Sequence, residues 1–578
     1  MNCRNGTLSV LIPSVIRVHV LPDCDTFPPV KMPYRPSFPR SAAAWLAATL
    51  LAALAPAASA RTATVTVLCT ADLHGSVRAT PGRYLEHNEG SLLQLATLVK
   101  QIRAETPNVL LLDAGDIFQG TAESLLSRGE AMSIPMNALG YSAFAVGNHE
   151  FDWGVEEAGR LLSLLDATPL AANLLRAPGS PRAFERVRPW TVCSVDGIRV
   201  GIVGLTTPNL NQWFRDMAPA GLRAGDSRTA LERCLPGLRR ENPQILVLLA
   251  HQALQAKDDA ANEINAIGAR FGEFDLVLGA HVHRPVKGAR PGLVDYAQSD
   301  SGASGLLRVD LDYDTVARRV TGKRFEWIPV TPAVPEDPEL RDAVASHLAR
   351  TDREMATVLG RTESPLTSSM AAPGLSPVQQ LFCRAIAAAT GAQVVLHGVF
   401  SSASVPSGPV TVADLWRLVP YENGIGTAEL TLNDIREILE EATPYLGTVR
   451  SIAAWGLAYE IHPYALPGER ILNLRWADGS PVHGRQRIRA AFNSYHLAGG
   501  GGRFPVLAER TSDPRARLAM SPTGMRSMVA DYIRANSPLD IPPGATATVI
   551  REAPPKWVRK PAAPAGAPSG GKGSQGHP

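Results

Sequence analysis

Between Val65 and about residue 330 the chain repeats one pattern: a short apolar run, a small or polar residue, then a side chain with a lone pair to offer. The runs are TVTVLCTA, NVLLLDAG, SAFAVG, QILVLLAH and FDLVLGAH, rich in aliphatic and β-branched residues and too short for helices. Between them lie amphipathic stretches such as SLLQLATLVKQIRAE, EEAGRLLSLLDA and RTALERCLPGLRRE. Strand-like runs alternating with helical ones predict a layered α/β domain. In such sheets the ligand crevice forms at the carboxyl ends of the strands. The residues found there are Asp72 and His74 (ADLHG), Asp116 (GDIFQG), Asn148 and His149 (GNHEFDWG), His251, and His281 with His283 (HVH). Singly, each has a bland explanation: a Gly-Asp pair makes a turn, and a lone histidine after a strand packs in a core. Five segments that bring oxygen and nitrogen donors to one rim instead predict a metal site.

Beyond residue 330 the character changes. PVTPAVPEDPEL is Pro-rich and LRDAVASHLARTDREMA reads as a charged helix, so 331–357 is expected to be a linker with a connecting helix. A second domain is expected over 358–552, with a helix in SPVQQLFCRAIAAATG and a strand in AQVVLHG. TLNDIREILEEA reads as a helix capped by Thr431 and Asp434, and a hairpin is expected around Asp478-Gly479. The Pro/Gly/Ser/Lys-rich tail at 553–578 is expected to be disordered. A length of 578 residues with 45% apolar and 19% charged residues allows each half its own core.

The start of the chain reads as a leader. Met32 precedes Arg35 and Arg40, then AAAWLAATLLAALAP, then Ala58-Ser59-Ala60, the layout of a secretory signal peptide cut after Ala60. Residues 32–60 have signal-peptide length, so 1–31 read as an extension upstream of the true start. The apolar run falls short of the ~20 residues of a spanning helix, which argues against a retained anchor. Five basic and two acidic residues precede position 61, and four basic and no acidic ones follow 552; the 48 basic and 52 acidic residues between give −4. That balance excludes nucleic-acid binding by bulk charge. Cys69, Cys193, Cys234 and Cys383 follow the cleavage point; one or two disulfides are possible in an exported chain, with no pairing legible.

In this order, DLH, GDIFQG, GNHEFD, a histidine after an apolar strand, and HVH resemble the calcineurin-like metallophosphoesterases. MNALGYSAFAVGNHEFDWG, AANLL and GLTTPN resemble their 5′-nucleotidase branch. The resemblance implies a four-layer αββα sandwich over 61–330 and an α+β C-terminal substrate domain. It also implies two divalent ions (Zn, Mn, Fe or Co) roughly 3.5–4 Å apart, which polarise the phosphoryl oxygens and acidify a water. One ion would be held by Asp72, His74, Asp116 and His283, the other by Asp116, Asn148, His251 and His281, with Asp116 shared. By the same resemblance His149 serves the leaving group and Asp152 orients it, although a residue at 152 also suits a helix cap. Glu150 receives no role and reads as a solvated neighbour.

The second domain departs from the family pattern. Where NGGGIR is usual the chain reads LHGVFSSAS (396–404), which keeps Gly398 and lacks the arginine. Tyr421 in VPYENG and Phe504 in GGGRF stand where two rings would sandwich a base; core or rim packing is the alternative for both. Gly502 replaces an aspartate, and Arg503 is new; it is expected to bind substrate by replacing, from another loop, the positive charge lost with the missing arginine. The expected activity is exported phosphomonoester hydrolysis of 5′-nucleotidase type on a small molecule, a nucleotide, by a protein without a lasting membrane anchor. Cyclic nucleotides, nucleotide sugars or a sulfur ester are alternatives with the same metals. A non-catalytic surface-binding protein is the alternative of another class.

Overall fold

The computed structural model describes residues 62–79, 90–214, 216–368, 375–420, 422–448, 450–500, 502–544 and 546–551. The expected leader, the tail and Tyr421 lie outside them. In the first half, β1 (Thr62–Thr70) is followed by α1 (Leu92–Glu105), which starts where the Ser91 side chain accepts from the Gln94 amide. Then come β2 (Val109–Asp113), α2 (Glu130–Leu139), β3 (Ala143–Ala145), α3 (Val155–Leu164) and β4 (Thr168–Leu170). β5 (Trp190–Val195), β6 (Ile198–Leu205), α4 (Ser227–Arg240), β7 (Ile245–Ala250), α5 (Ile264–Arg270) and β8 (Leu276–Gly279) follow. The half closes with β9 (Val286–Ala289), β10 (Tyr296–Gln298), β11 (Gly305–Asp314) and β12 (Arg319–Pro329).

These strands form two six-stranded sheets, ordered β12-β11-β1-β2-β3-β4 and β9-β10-β8-β7-β6-β5. β1 to β4 run parallel, as do β6, β7, β8 and β10. The apolar runs are continuous because both faces of each sheet are covered. Val65, Val67 and Cys69 of β1 face Val200, Ile202, Val247 and Leu249 of the other sheet, while Leu68 joins Leu111 and Phe144 under the helices α1 to α3. On the far side Val203 and Leu248 pack against Leu231, Leu235 and Ile264 of α4 and α5. The result is the αββα sandwich expected above.

The linker ends at Asp337, whose carboxylate accepts from the Leu340 amide at 3.0 Å and starts α6 (Pro338–Met355) with a proline in its first turn. Leu340, Val344 and Leu348 of α6 are part of the first half's helix-side core, so this helix is a fixture of the sandwich. In the second half α7 (Pro377–Thr390) runs from the Ser376 cap to Gly391, whose φ of 68° ends it. Next come β13 (Val394–His397), β14 (Ile425–Thr431) and α8 (Leu432–Ala442), the last opened by a reciprocal cap between Thr431 and Asp434. With β15 (Ala453–Trp455), β16 (Arg487–Asn493) and β17 (Ala519–Met520) they make a mixed sheet ordered β15-β13-β16-β14-β17, with α7 against one face and α8 against the other. The turn at Asp478-Gly479 returns the chain from Trp476 to Ser480, as expected. Cys69, Cys193, Cys234 and Cys383 are all free thiols. Among the described residues no helix is long and apolar enough to cross a membrane.

Candidate metal centre and active-site cleft

Because β1, β2 and β3 run parallel in register, and β7 and β8 likewise, the loops at their carboxyl ends meet at one rim. Asp72, His74 and His283 form one cluster there, and Asp116, His251 and His281 another; in each the potential ligand atoms lie within 4.8 Å of one another. His74 Nδ1 is 2.9 Å from the Gln119 carbonyl, which can only accept, so Nδ1 carries the proton and Nε2 points to His283 Nε2 at 2.9 Å. His251 repeats this arrangement. Its Nδ1 donates to the Ala114 carbonyl at 2.8 Å, and its Nε2 faces Asp116 Oδ2 at 3.0 Å and Asn148 Oδ1 at 3.1 Å. Acceptors facing one another at such distances need a cation among them or, failing that, a proton. Burial pushes the Asp72 carboxyl up to about 7 and pulls His281 down to about 3, tensions that a nearby cation relieves for the carboxylate and uses in the neutral ring. Imidazole, carboxylate and amide oxygen together suit a transition-type divalent ion.

The loops are strained into this shape. Asp72, His74, Asp116, His281 and His283 have φ of 49°, 48°, 59°, 84° and 48°, in the left-handed region that costs a non-glycine residue about 1–2 kcal/mol. Such torsions persist only where the surroundings fix them. Here the Asp72 amide donates to the Gly115 carbonyl at 2.9 Å, His74 to Asp116 at 2.9 Å and Gly75 to Ile117 at 2.8 Å, fastening the first loop to the second. Gly147 must be glycine, because a Cβ there would overlap Asp116 Oδ1.

Glu150, expected to be a solvated neighbour, is instead fully buried. Its carboxylate accepts from the amides of Gly147 at 2.7 Å, Asp116 at 3.1 Å and Ile117 at 2.7 Å, and so clamps the second and third loops together. Nothing in the sequence marks it, since the clamp depends on where two distant backbone segments run. Glu150→Gln offers one oxygen where three amides converge, and its NH2 meets a donor. Chemical denaturation is expected to show a loss of about 2–3 kcal/mol, and a loss below about 0.5 kcal/mol would remove the clamp from this account.

His149 Nδ1 lies 2.8 Å from Asp152 Oδ2, and the His149 amide donates to Asp116 Oδ1 at 2.8 Å. Burial works against a charged His149, but the Asp152 and Asp116 carboxylates outweigh it and the pKa is pushed up to about 10. Asp152 does not cap α3: that helix begins at Gly154 without a side-chain cap, and Asp216 accepts from the Val155 amide at 3.3 Å. Asp116 groups with His251 and His281, and its backbone carbonyl holds His74 of the other cluster.

His74, His149 and His283 open onto a cleft of about 540 Å³ whose other wall comes from the second half, including Phe400, Arg450, Tyr495 and Arg503. Phe504 is not on that wall. It is fully buried, edge-on to His496 with ring centroids 5.0 Å apart, because the turn at Gly499 to Gly502 folds its amide back onto the Gly499 carbonyl at 2.9 Å. The ring presented instead is Tyr495, 47% exposed, on the short helix capped by Asn493. The sequence reading missed it; the signal available was an aromatic two residues after a capping asparagine, just before the glycine run.

A layered sandwich with two donor clusters at its strand ends defines a metallophosphoesterase fold. Residues 65–285 match the calcineurin-like phosphoesterase family and residues 358–509 the 5′-nucleotidase C-terminal domain. The two halves thus match, in chain order, a calcineurin-like phosphoesterase domain and a 5′-nucleotidase C-terminal domain. A 5′-nucleotidase of Rattus norvegicus is 34% identical over 246 residues, 41% of this chain and 41% of that protein. The putative 5′-nucleotidase of Staphylococcus aureus superposes with a TM-score of 0.71 at 19% identity, over 84% of this chain and 100% of that one. The 5′-nucleotidase precursor of Thermus thermophilus gives 0.63 at 22%, over 85% and 100%. At these identities the two structures speak for the fold alone. The chain spans 38–56% of the length of the first curated relatives it matches.

Proposed function

We propose that the protein is an exported, metal-dependent phosphomonoesterase of 5′-nucleotidase type. The observation that carries this reading is one cleft that joins His74 and His283 of the first donor cluster, a histidine paired with a carboxylate, and an exposed aromatic wall from a second domain. Asp72, His74 and His283 would hold one divalent ion, and Asn148, His251 and His281 a second, with Asp116 shared between them. Ions so placed supply Lewis acidity at the phosphoryl oxygens and a nucleophilic water at neutral pH. The chain's own part is positioning and proton transfer. Asp152 holds the Nδ1 proton of His149, which leaves Nε2 to give its proton to the departing ester oxygen. Tyr495 offers a face on which a flat leaving group such as a nucleoside stacks. Export follows from the leader expected at residues 32–60.

The test is hydrolysis by the chain from Arg61 loaded with Mn or Zn, first of p-nitrophenyl phosphate and then of nucleoside monophosphates, cyclic nucleotides and nucleotide sugars. Phosphate release from nucleoside monophosphates, abolished by chelator and restored by metal, is the expected result. A loaded, folded protein that releases no phosphate from any of them would overturn the reading.

A further inference from the structure

The second-half wall of the cleft carries more positive charge than a single scissile phosphate uses. Arg450 and Arg503 both line it, and among the described residues neither makes an ion pair. Among the described residues Arg503 is held without a counter-charge. Its guanidinium carbon sits 5.2 Å from the Tyr445 ring centre, 5.5 Å from Tyr495 and 5.3 Å from Phe504, and its Nε donates to the Gly500 carbonyl at 2.9 Å. Aromatic faces hold a cation while leaving it electrostatically unsatisfied toward an anion. Arg503 Nη1 also donates to the Arg450 carbonyl at 3.4 Å, so the two arginine-bearing loops are tied together.

The one carboxylate on that wall among the described residues does not cancel them. Glu422 is engaged by Arg526, whose amide and Nη1 donate to it at 2.9 and 3.2 Å. The imidazoles nearby add no charge of their own. Burial pulls His397 down to about 4, and burial together with His397 and Arg503 pulls His496 down to about 3. The net result is two uncompensated guanidiniums facing, across a cleft of about 540 Å³, the rim where His74, His149 and His283 lie. That volume is nucleotide-sized.

We infer that Arg450 and Arg503 form a second anion subsite, so that the preferred substrate carries a phosphate or equivalent anion in addition to the one hydrolysed. The inference rests on the phosphomonoesterase reading and deepens it. Planar guanidiniums bind phosphate through paired, charge-assisted hydrogen bonds, and each such contact is strong enough to move affinity by about tenfold. The phosphate on the arginines is not cleaved; it fixes the far end of the substrate while the near end is presented to His149.

The experiment compares kcat/KM on the metal-loaded chain for adenosine 3′,5′-bisphosphate against adenosine 5′-monophosphate, and for fructose 1,6-bisphosphate against fructose 6-phosphate. At least one bisphosphate is expected to exceed its partner by about tenfold or more, and raising the salt concentration is expected to shrink that ratio. Arg450→Ala and Arg503→Ala are each expected to lower the ratio several-fold. Arg450→Glu, at an exposed position that leaves the core untouched, is expected to lower it further and covers the case in which Arg503→Ala does not fold. Ratios near one in the wild type, or unmoved by Arg450→Glu, overturn the subsite while leaving the phosphomonoesterase reading in place. If no ester is hydrolysed, that reading falls separately, and calorimetric titration with the same pairs decides the subsite: tighter binding of a bisphosphate supports it, and equal binding overturns it.

Discussion

Asp116→Ala is expected to leave fewer than one metal per chain after reconstitution with Zn or Mn, with phosphatase activity at the level of the buffer. The carboxylate does three things that alanine cannot. Its Oδ2 faces the His251 lone pair at 3.0 Å, its Oδ1 accepts the His149 amide at 2.8 Å, and it is the oxygen donor the proposal shares between two ions. Removing it withdraws a negative charge from a buried site in which His251 and His281 cannot replace it. The backbone cost remains, because residue 116 must still adopt a φ of 59°, a torsion that alanine tolerates poorly. Some loss of fold stability is therefore expected as well, so elemental analysis is done on monomeric, cooperatively unfolding material. Asp116→Asn separates the effects: it keeps an oxygen for the His149 amide but lacks the charge, and is expected to bind metal weakly while folding like the wild type. Full metal occupancy in either variant would remove Asp116 from the centre of the proposal.

What could be read from the sequence here was what depends on residue type and order. The five runs became five of the sandwich strands, and each donor after them came to the rim, because parallel strands in register force the following loops to one edge. The cap at Thr431 with Asp434 was legible for the same reason, since a cap is written in adjacent residues. Torsion and distant backbone were not legible. That five of the donor residues sit at positive φ follows from how one loop hydrogen-bonds to another. Glu150 became a clamp through the path of Ile117 and Gly147, which neither residue's identity reveals.

In the second half, motif likeness misled where local geometry ruled. Phe504 ends a glycine run and reads as a presented ring. Gly499, Gly500 and Gly502 all take positive φ, the turn doubles back, and the ring packs with Leu497 and Leu507. Four glycines in succession leave the direction of exit undetermined by the sequence. The same turn is what sets Arg503 beside Tyr445 and Tyr495, so the loss of one expected contact and the gain of another have one cause.

His149→Ala is expected to keep its metals and to lower kcat on adenosine 5′-monophosphate by roughly 10²-fold or more, the usual scale of losing a positioned general acid. The residue sits beside the clusters without belonging to either: its ring nitrogen Nδ1 is taken by Asp152, and its own contact with Asp116 is through the backbone amide, which alanine retains. The leaving group separates proton donation from other roles. A nucleoside alkoxide is a strong base and must be protonated as it departs, whereas p-nitrophenolate is a stable anion and leaves without help. The loss on p-nitrophenyl phosphate is therefore expected to be only a few-fold. Asp152→Asn should follow the same pattern on a smaller scale, about 10-fold, because the asparagine oxygen still orients Nδ1–H but no longer favours the charged ring against burial. Equal losses on both substrates would assign His149 to stabilising charge on the phosphoryl group instead. Lost metal in His149→Ala would mean that the ring is a ligand and that the division between holding ions and moving protons is drawn in the wrong place.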